Sequence, residues 1–218
     1  MQHFWTYDLP QALEAWMENP RAMHSSAAAN VRRDRIRRGL ECVSIRHPIL
    51  DGVDSAMAYW WFRYFCYLNV RLASGELIPA FVLWHPLDHV SFAIQRHSLS
   101  GAVGLGAGTQ ISVATKYRSL FLTVGVGIVQ ALDQTGLSVR FQRFLSGPAL
   151  VLDDFVDTPT GLLYVSRLIS ADNRVRPLKQ LNLDDDIVKD WIEYKIQVIE
   201  NLRILLPILY KSQSPKIF

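Results

Sequence analysis

The apolar positions of the chain change period three times. Over residues 9–23 they recur behind Pro10 as one short helix would place them, with Asn19-Pro20 as its stop. Cys42-Val43-Ser44-Ile45 then alternates with the two-residue period of a strand and ends at His47-Pro48. Asp51-Gly52-Val53-Asp54-Ser55 reads as a turn into a second helix over residues 56–65, N-capped by Asp54 or Ser55. That helix is aromatic on nearly every side, so it is expected to be buried or to wall a cavity.

Strand-like runs dominate the middle of the chain. They are expected over residues 77–83, 90–94, 109–116, 120–130, 136–144, 150–155 and 162–169. Turn composition at 132–136 and 158–161 joins successive strands closely, which predicts an antiparallel meander. The chain then returns to a helical period. Val188, Trp191, Lys195, Val198, Ile199, Leu202, Leu205, Leu206 and Leu209 form one stripe, with Asp184-Asp185-Asp186 at its start and Pro207 expected to bend or end it. A meander followed by one long amphipathic helix is an α+β architecture in which the helix lies across a curved sheet.

Composition narrows this little. At 218 residues the chain is long enough for one sizeable core and reads as a single domain, with no internal repeat or linker. Half of it is hydrophobic and 20% is charged, a globular balance. A net charge of +3 gives no support for a nucleic-acid partner. Five arginines crowd residues 31–39, either as a grip for an anionic group or as a solvated face interrupted by Asp34. Residues 25–30 are small and expected to be mobile. The glycine-rich stretch 98–108 lacks the Lys and Ser/Thr of a phosphate loop and reads as a flexible loop or lid. Cys42 and Cys66 have neither disulfide-framework nor metal-site spacing. The N-terminus lacks the pattern of a signal peptide, and the longest apolar stretch, 119–132, is too short to span a bilayer. A cytoplasmic setting is therefore expected. A homodimer is left open.

Chemistry concentrates at Trp84-His85-Pro86-Leu87-Asp88-His89. Two imidazoles and a carboxylate follow a strand-like run, where an apolar strand reaches the rim of a core. Imidazole changes charge near neutral pH, so this stretch suits acid–base or metal chemistry. A His-Pro turn with Asp88 capping the next segment explains the same residues without chemistry.

Four blocks carry a resemblance. They are Trp60-Trp61-Phe62, the stretch from Leu83 to His89, Asp157-Thr158-Pro159-Thr160-Gly161-Leu162-Leu163-Tyr164-Val165-Ser166-Arg167, and Asn201-Leu202-Arg203-Ile204-Leu205-Leu206-Pro207-Ile208-Leu209-Tyr210. In this order they resemble the diacetylphloroglucinol hydrolase and phloretin hydrolase family, over roughly residues 48–210. Residues 1–47 would be an N-terminal helical and basic segment outside that core. The resemblance implies a helix-grip fold, like the birch-pollen allergen and START domains, with a ligand cavity between sheet and long helix. It also implies zinc-dependent cleavage of a carbon–carbon bond beside a ketone on an acylated polyphenol.

The metal set departs from that pattern. The family uses a His near the Trp-His-Pro block, a strand Glu, and a His-x-x-x-Glu pair on the C-terminal helix, whose spacing puts both on one face. Here all six histidines lie at or before His97. The helix pair falls near Tyr194 and Val198, and the strand Glu near Thr115 or Lys116. The expectation is therefore an enzyme without cofactor or metal, holding a hydrophobic or aromatic small molecule against Trp60, Trp61, Trp84, Tyr194 and Val198. His85 or His89 would act as general acid or base, oriented by Asp88. Lys116 would stabilise an enolate or form a Schiff base, and Tyr164 and Tyr194 would donate hydrogen bonds to a carbonyl or phenolate. Such a cavity would cyclise, isomerise or rearrange a polyketide-like, phenolic or terpenoid-like intermediate of secondary metabolism. The alternatives are a zinc hydrolase using His85, Asp88, His89 and Glu193 or Glu200, and a carrier that binds without chemistry.

Overall fold

The structure, a computed structural model, describes residues 5–18, 29–36, 40–98, 103–117, 121–144, 147–171 and 185–213. The Asn19-Pro20 helix stop, most of the small-residue stretch 25–30, part of the glycine-rich segment and the Asp184 cap lie outside these residues.

Elements follow in the order β1 (Trp5–Asp8), α1 (Gln11–Glu18), β2 (Asn30–Ile36), β3 (Leu40–Arg46), β4 (Leu50–Asp51), α2 (Ser55–Tyr64), β5 (Leu68–Arg71), β6 (Leu77–Pro79), α3 (Ala80–Trp84) and β7 (His89–Arg96). Then come β8 (Gln110–Tyr117), β9 (Phe121–Asp133), β10 (Gly136–Phe144), β11 (Gly147–Thr158), β12 (Gly161–Ala171) and the long α4 (Asp185–Gln213). The main sheet runs β2-β3-β12-β11-β10-β9-β8-β7, with β4 beside β12, and all its pairs are antiparallel. A small sheet β1-β5-β6 stands apart, with β1 parallel to β5.

Alternation decides which face of the main sheet meets the helix. Val151, Asp153 and Phe155 on β11 and Leu162, Tyr164, Ser166 and Leu168 on β12 point inward and are buried. Opposite them α4 buries Val188, Trp191, Lys195, Val198, Ile199, Leu202, Leu205, Leu206 and Leu209, the predicted stripe position for position. Register shifts between Ser138 and Val139, between Phe141 and Arg143, and along β7–β8 mark bulges. Bulges bend a sheet, and a bent sheet leaves space beneath a straight helix. Asp54 caps α2 by accepting from the Met57 amide at 2.8 Å. The Asp157 carboxylate accepts from both the Ser55 amide and hydroxyl at 2.7 Å, fixing the start of α2 to the end of β11.

Three local expectations need correction. Residues 77–83 are not one strand: β6 stops at Pro79, which has no amide hydrogen for the sheet, and Ala80–Trp84 form a helical turn buried at Ala80, Phe81, Leu83 and Trp84. A short apolar run has no period to tell these states apart. Pro207 does not end α4, which continues to Gln213. Residues 1–47 are not wholly outside the core, because β3 pairs with β12 and buries Val43 and Ile45. Residues 31–36 of the arginine run lie in β2, which among the described residues is the exposed outermost strand, where Arg33 pairs with Glu41 and Arg32 with Asp34; residues 37–39 lie outside the described residues.

Candidate active site between sheet and helix

Beneath α4 lies a cavity of about 130 Å³. Its walls are apolar and come from α2 (Phe62), the turn after it (Phe65), α3 (Phe81, Trp84), the inner face of the sheet and Trp191 of α4. A dry cavity of roughly 150 Å³ holds one benzene ring, which sets the scale of what fits. Four polar groups break this lining: Thr115, Asp153, Tyr194 and Lys195.

Asp153 and Lys195 make the strongest of these breaks. Lys195 Nζ donates to Asp153 Oδ2 at 3.0 Å, with the two side chains 10% and 2% exposed. The other oxygen, Asp153 Oδ1, and the Tyr164 hydroxyl are buried with no partner of regular hydrogen-bond geometry among the described residues, though the Tyr164 hydroxyl lies near enough to the Asp153 carboxylate to be influenced by it as a hydrogen-bond acceptor. A buried ion pair contributes little to stability after desolvation, and an unpartnered buried acceptor costs about 1–3 kcal/mol. Lys195 ammonium also lies 5.7 Å from the centre of the Tyr164 ring. Burial first, and then the Asp153 carboxylate, push the Tyr164 hydroxyl well above its usual range, so it stays protonated. Behind Tyr164, His47 shares a 3.0 Å hydrogen bond with Ser166 Oγ; burial and then the Lys195 charge lower His47 to about 3.

Tyr194 belongs to a second polar chain. His89 Nδ1 lies 2.6 Å from the Phe81 carbonyl oxygen, which can only accept, so Nδ1 carries the proton. Burial first and His85 second hold His89 well below its usual range, so it is neutral and Nε2 offers a lone pair. The Tyr194 hydroxyl, 2.7 Å from Nε2, therefore donates to His89. Tyr194 turns an acceptor, not a donor, toward the cavity.

The remaining expected residues are distributed as follows. His85, Asp88 and His89 are buried but do not line the cavity. His85 lies 3.5 Å from Asp88 and 3.3 Å from Gln197 on α4, so the motif clamps the α3–β7 turn to the long helix. Trp84 does line the cavity, and its Nε1 donates to the Val198 carbonyl at 2.8 Å. Trp60, Trp61 and Val198 are core residues behind the wall; Trp60 packs edge-on to Tyr210 and Trp61 edge-on to Trp84. Tyr164 is fully buried beside Asp153 and outside the lining. Lys116 is exposed at the end of β8, so neither an enolate contact nor a Schiff base in this cavity falls to it. Asp153 and Lys195 are the groups sequence reasoning did not assign. Their signals were a lysine in the apolar stripe of α4 and an aspartate at an inward position between Val151 and Phe155.

The glycine-rich segment is anchored where it is described. Leu105 lines the cavity, its amide donates to the Arg63 carbonyl at 2.8 Å, and Gly104 adopts φ +96° against α2. Of residues 103–108, Leu105 is the one that forms part of the cavity wall.

Among solved structures, Ara h 8.0201 superposes at a TM-score of 0.51, with 9% identity over 82% of this chain and 98% of that one. The chain has the Bet v1-like helix-grip fold. A structural-genomics protein from Rhodobacter sphaeroides gives a TM-score of 0.52 at 9% identity, over 83% of this chain and 99% of that one. The di-domain ARO/CYC StfQ from the steffimycin biosynthetic pathway gives 0.47 at 9% identity, over 82% of this chain and 53% of that one. No family model and no curated sequence matches the chain. No helix among the described residues is long and apolar enough to cross a membrane.

Zinc, which the resemblance to the phloroglucinol hydrolases implied, does not fit this helix-grip cavity. At the positions the resemblance assigns stand Thr115 or Lys116, Tyr194 and Val198, and among the described residues no three His, Cys, Asp or Glu side chains, the alternative set of His85, Asp88, His89 and Glu193 or Glu200 included, converge on one point. Both ring nitrogens of His89 are already engaged, by Phe81 and Tyr194.

Proposed function

We propose that this protein is an enzyme of small-molecule metabolism that moves a proton on a mostly apolar ligand bearing a carbonyl group, in the cavity under α4. The observation that carries the reading is a carboxylate in an apolar wall: Asp153 lines the cavity with Oδ2 held by Lys195, while Oδ1 has no partner of regular hydrogen-bond geometry among the described residues and the Tyr164 hydroxyl is the polar group beside the carboxylate. A carboxylate so placed can take a proton from a ligand held against the same wall. Oδ1 takes a proton from the carbon beside the carbonyl. The C–H electron pair moves into the carbonyl oxygen, where the Lys195 ammonium stabilises the enolate. Return of the proton to another carbon isomerises the ligand. If the enolate carbon instead attacks a second carbonyl, a carbon–carbon bond forms, the alkoxide regains the proton from Asp153, and a ring closes. These are the rearrangements that a polyketide-like or phenolic intermediate of secondary metabolism undergoes, and no co-reactant is needed. The hydrolytic route of the resembling family has no matching donor set here.

The test uses acetophenone, a one-ring ketone scaled to the cavity, in deuterated buffer at neutral pH. Wild-type protein is expected to speed deuterium incorporation at the methyl group, followed by NMR, and Asp153→Asn to lower that rate about 100-fold or more. Equal exchange with Asp153→Asn overturns the role of Asp153. Saturable binding without exchange by wild type overturns catalysis and leaves a binding protein.

A further inference from the structure

A second space of about 350 Å³ lies beyond the inner cavity, bounded by β5, β6, α3 and the β7 strand. Phe65, Phe81 and Phe92 line both spaces, so a wall of three phenyl rings is all that the two share. The rings are held unequally. Phe81 stacks on His89 at 4.0 Å with an interplanar angle of 1°, and Phe65 stacks on Trp61 and tilts against Trp84, each at 5.9 Å. Both are buried. Phe92 stands half-buried on β7, the last strand of the main sheet, and its ring meets Phe65 at 4.7 Å and Phe81 at 5.5 Å. It alone of the three can swing away without breaking the core.

We infer that the outer space is a second chamber of the same ligand site, receiving an apolar chain carried by the ligand, with Phe92 displaced when the chain passes. This rests on the proposed function for its inner half: the carbonyl-bearing ring sits beside Asp153 and Lys195, and the chain runs out between Phe65 and Phe81. Val82, Val90 and Ile94 supply apolar contact there, while Asn69 and Ser91 suit a weakly polar chain end. The inner cavity by itself holds about one ring, so the outer chamber sets which ligands are preferred.

Isothermal titration of acetophenone and its para-n-butyl and para-n-hexyl derivatives tests this on the wild type and three variants. Affinity is expected to rise by up to about fourfold per methylene that enters the chamber. Ala93→Trp fills the outer chamber from an exposed position on β7 and touches nothing in the inner one. It is expected to leave acetophenone binding unchanged within twofold and to abolish the gain from the chain. Val90→Trp, also at an exposed lining position, should do the same and stands in if Ala93→Trp folds poorly. Phe92→Ala should tighten the hexyl compound relative to acetophenone. A chain-length gain that survives both tryptophan variants, or no gain in the wild type, overturns the second chamber while acetophenone binding and exchange still support the inner site. Failure of acetophenone itself to bind overturns the inner site, and the chamber with it.

Discussion

Removing the charge of Lys195 while keeping its bulk separates a functional ion pair from a structural one. Lys195→Met leaves the Asp153 carboxylate 2% exposed, with Oδ2 stripped of its partner and only the Tyr164 hydroxyl beside it. Breaking a buried pair from one side costs roughly 3–5 kcal/mol, which in a domain of this length lowers Tm by about 6–20 °C. The double variant Lys195→Met/Asp153→Leu removes both charges and fills the site with apolar atoms of similar volume. Such replacements are often neutral or stabilising by about 1–4 kcal/mol, so the double variant should recover wild-type stability or exceed it while ketone exchange stays lost. Urea unfolding at pH 7 on wild type, both single variants and the double variant measures this directly. A second readout guards the interpretation. An orphaned buried carboxylate is relieved by protonation, so the Lys195→Met deficit should shrink as pH falls toward 4. If the double variant is as unstable as Lys195→Met at every pH, the pair holds the sheet to α4, and its use in catalysis loses its physical basis.

Two further outcomes follow from the same core. His47 is lowered to about 3 by burial and then by Lys195, so the folded protein resists a proton that the unfolded chain accepts near pH 6.5. Its contribution is full above about pH 6.5 and is lost as pH falls toward 3. His47→Gln should therefore reduce the slope of unfolding free energy between pH 6 and 4.5 by about 1.4 kcal/mol per pH unit, and an unchanged slope would mean that His47 is not buried neutral. Gly104 adopts φ +96°, and a Cβ there would lie 2.6 Å from the Arg63 carbonyl oxygen. Gly104→Ala should cost roughly 2 kcal/mol, seen as a Tm about 4–8 °C lower, and a variant as stable as wild type would show that this segment is not pinned to α2.

The fold was legible because its two periods are strict. Inward positions on β11 and β12 and the stripe of α4 each repeat without a break, and the Asp54 cap and the turn around Thr158 punctuate them. The short run after Leu77 was not, because five apolar residues in a row satisfy helix and strand equally. The site was legible only in its aromatic part. The histidine motif drew attention by residue type, yet its rings are spent on the Phe81 carbonyl, Tyr194 and Gln197. Lys116 and Lys195 are alike in type, and only their place in each element's period separates them. The one sits at the exposed end of a strand, and the other in the middle of an apolar stripe.

The arginine run has a consequence unconnected with ligands. Its described part lies in β2, the last strand at one end of the main sheet among the described residues, and Arg32, Arg33 and Arg35 stand exposed along it. A bare sheet edge is a template on which another chain can build, and exposed Val31, Ile36 and Leu40 would make this one adhesive. Along this edge the guanidinium groups of Arg32 and Arg33 are held in ion pairs with Asp34 and Glu41, so another chain pairing here would meet long charged side chains beside the apolar ones. The run that first suggested an anion grip thus gives this end of the sheet a charged hem, the kind of edge on which a further strand is least readily added.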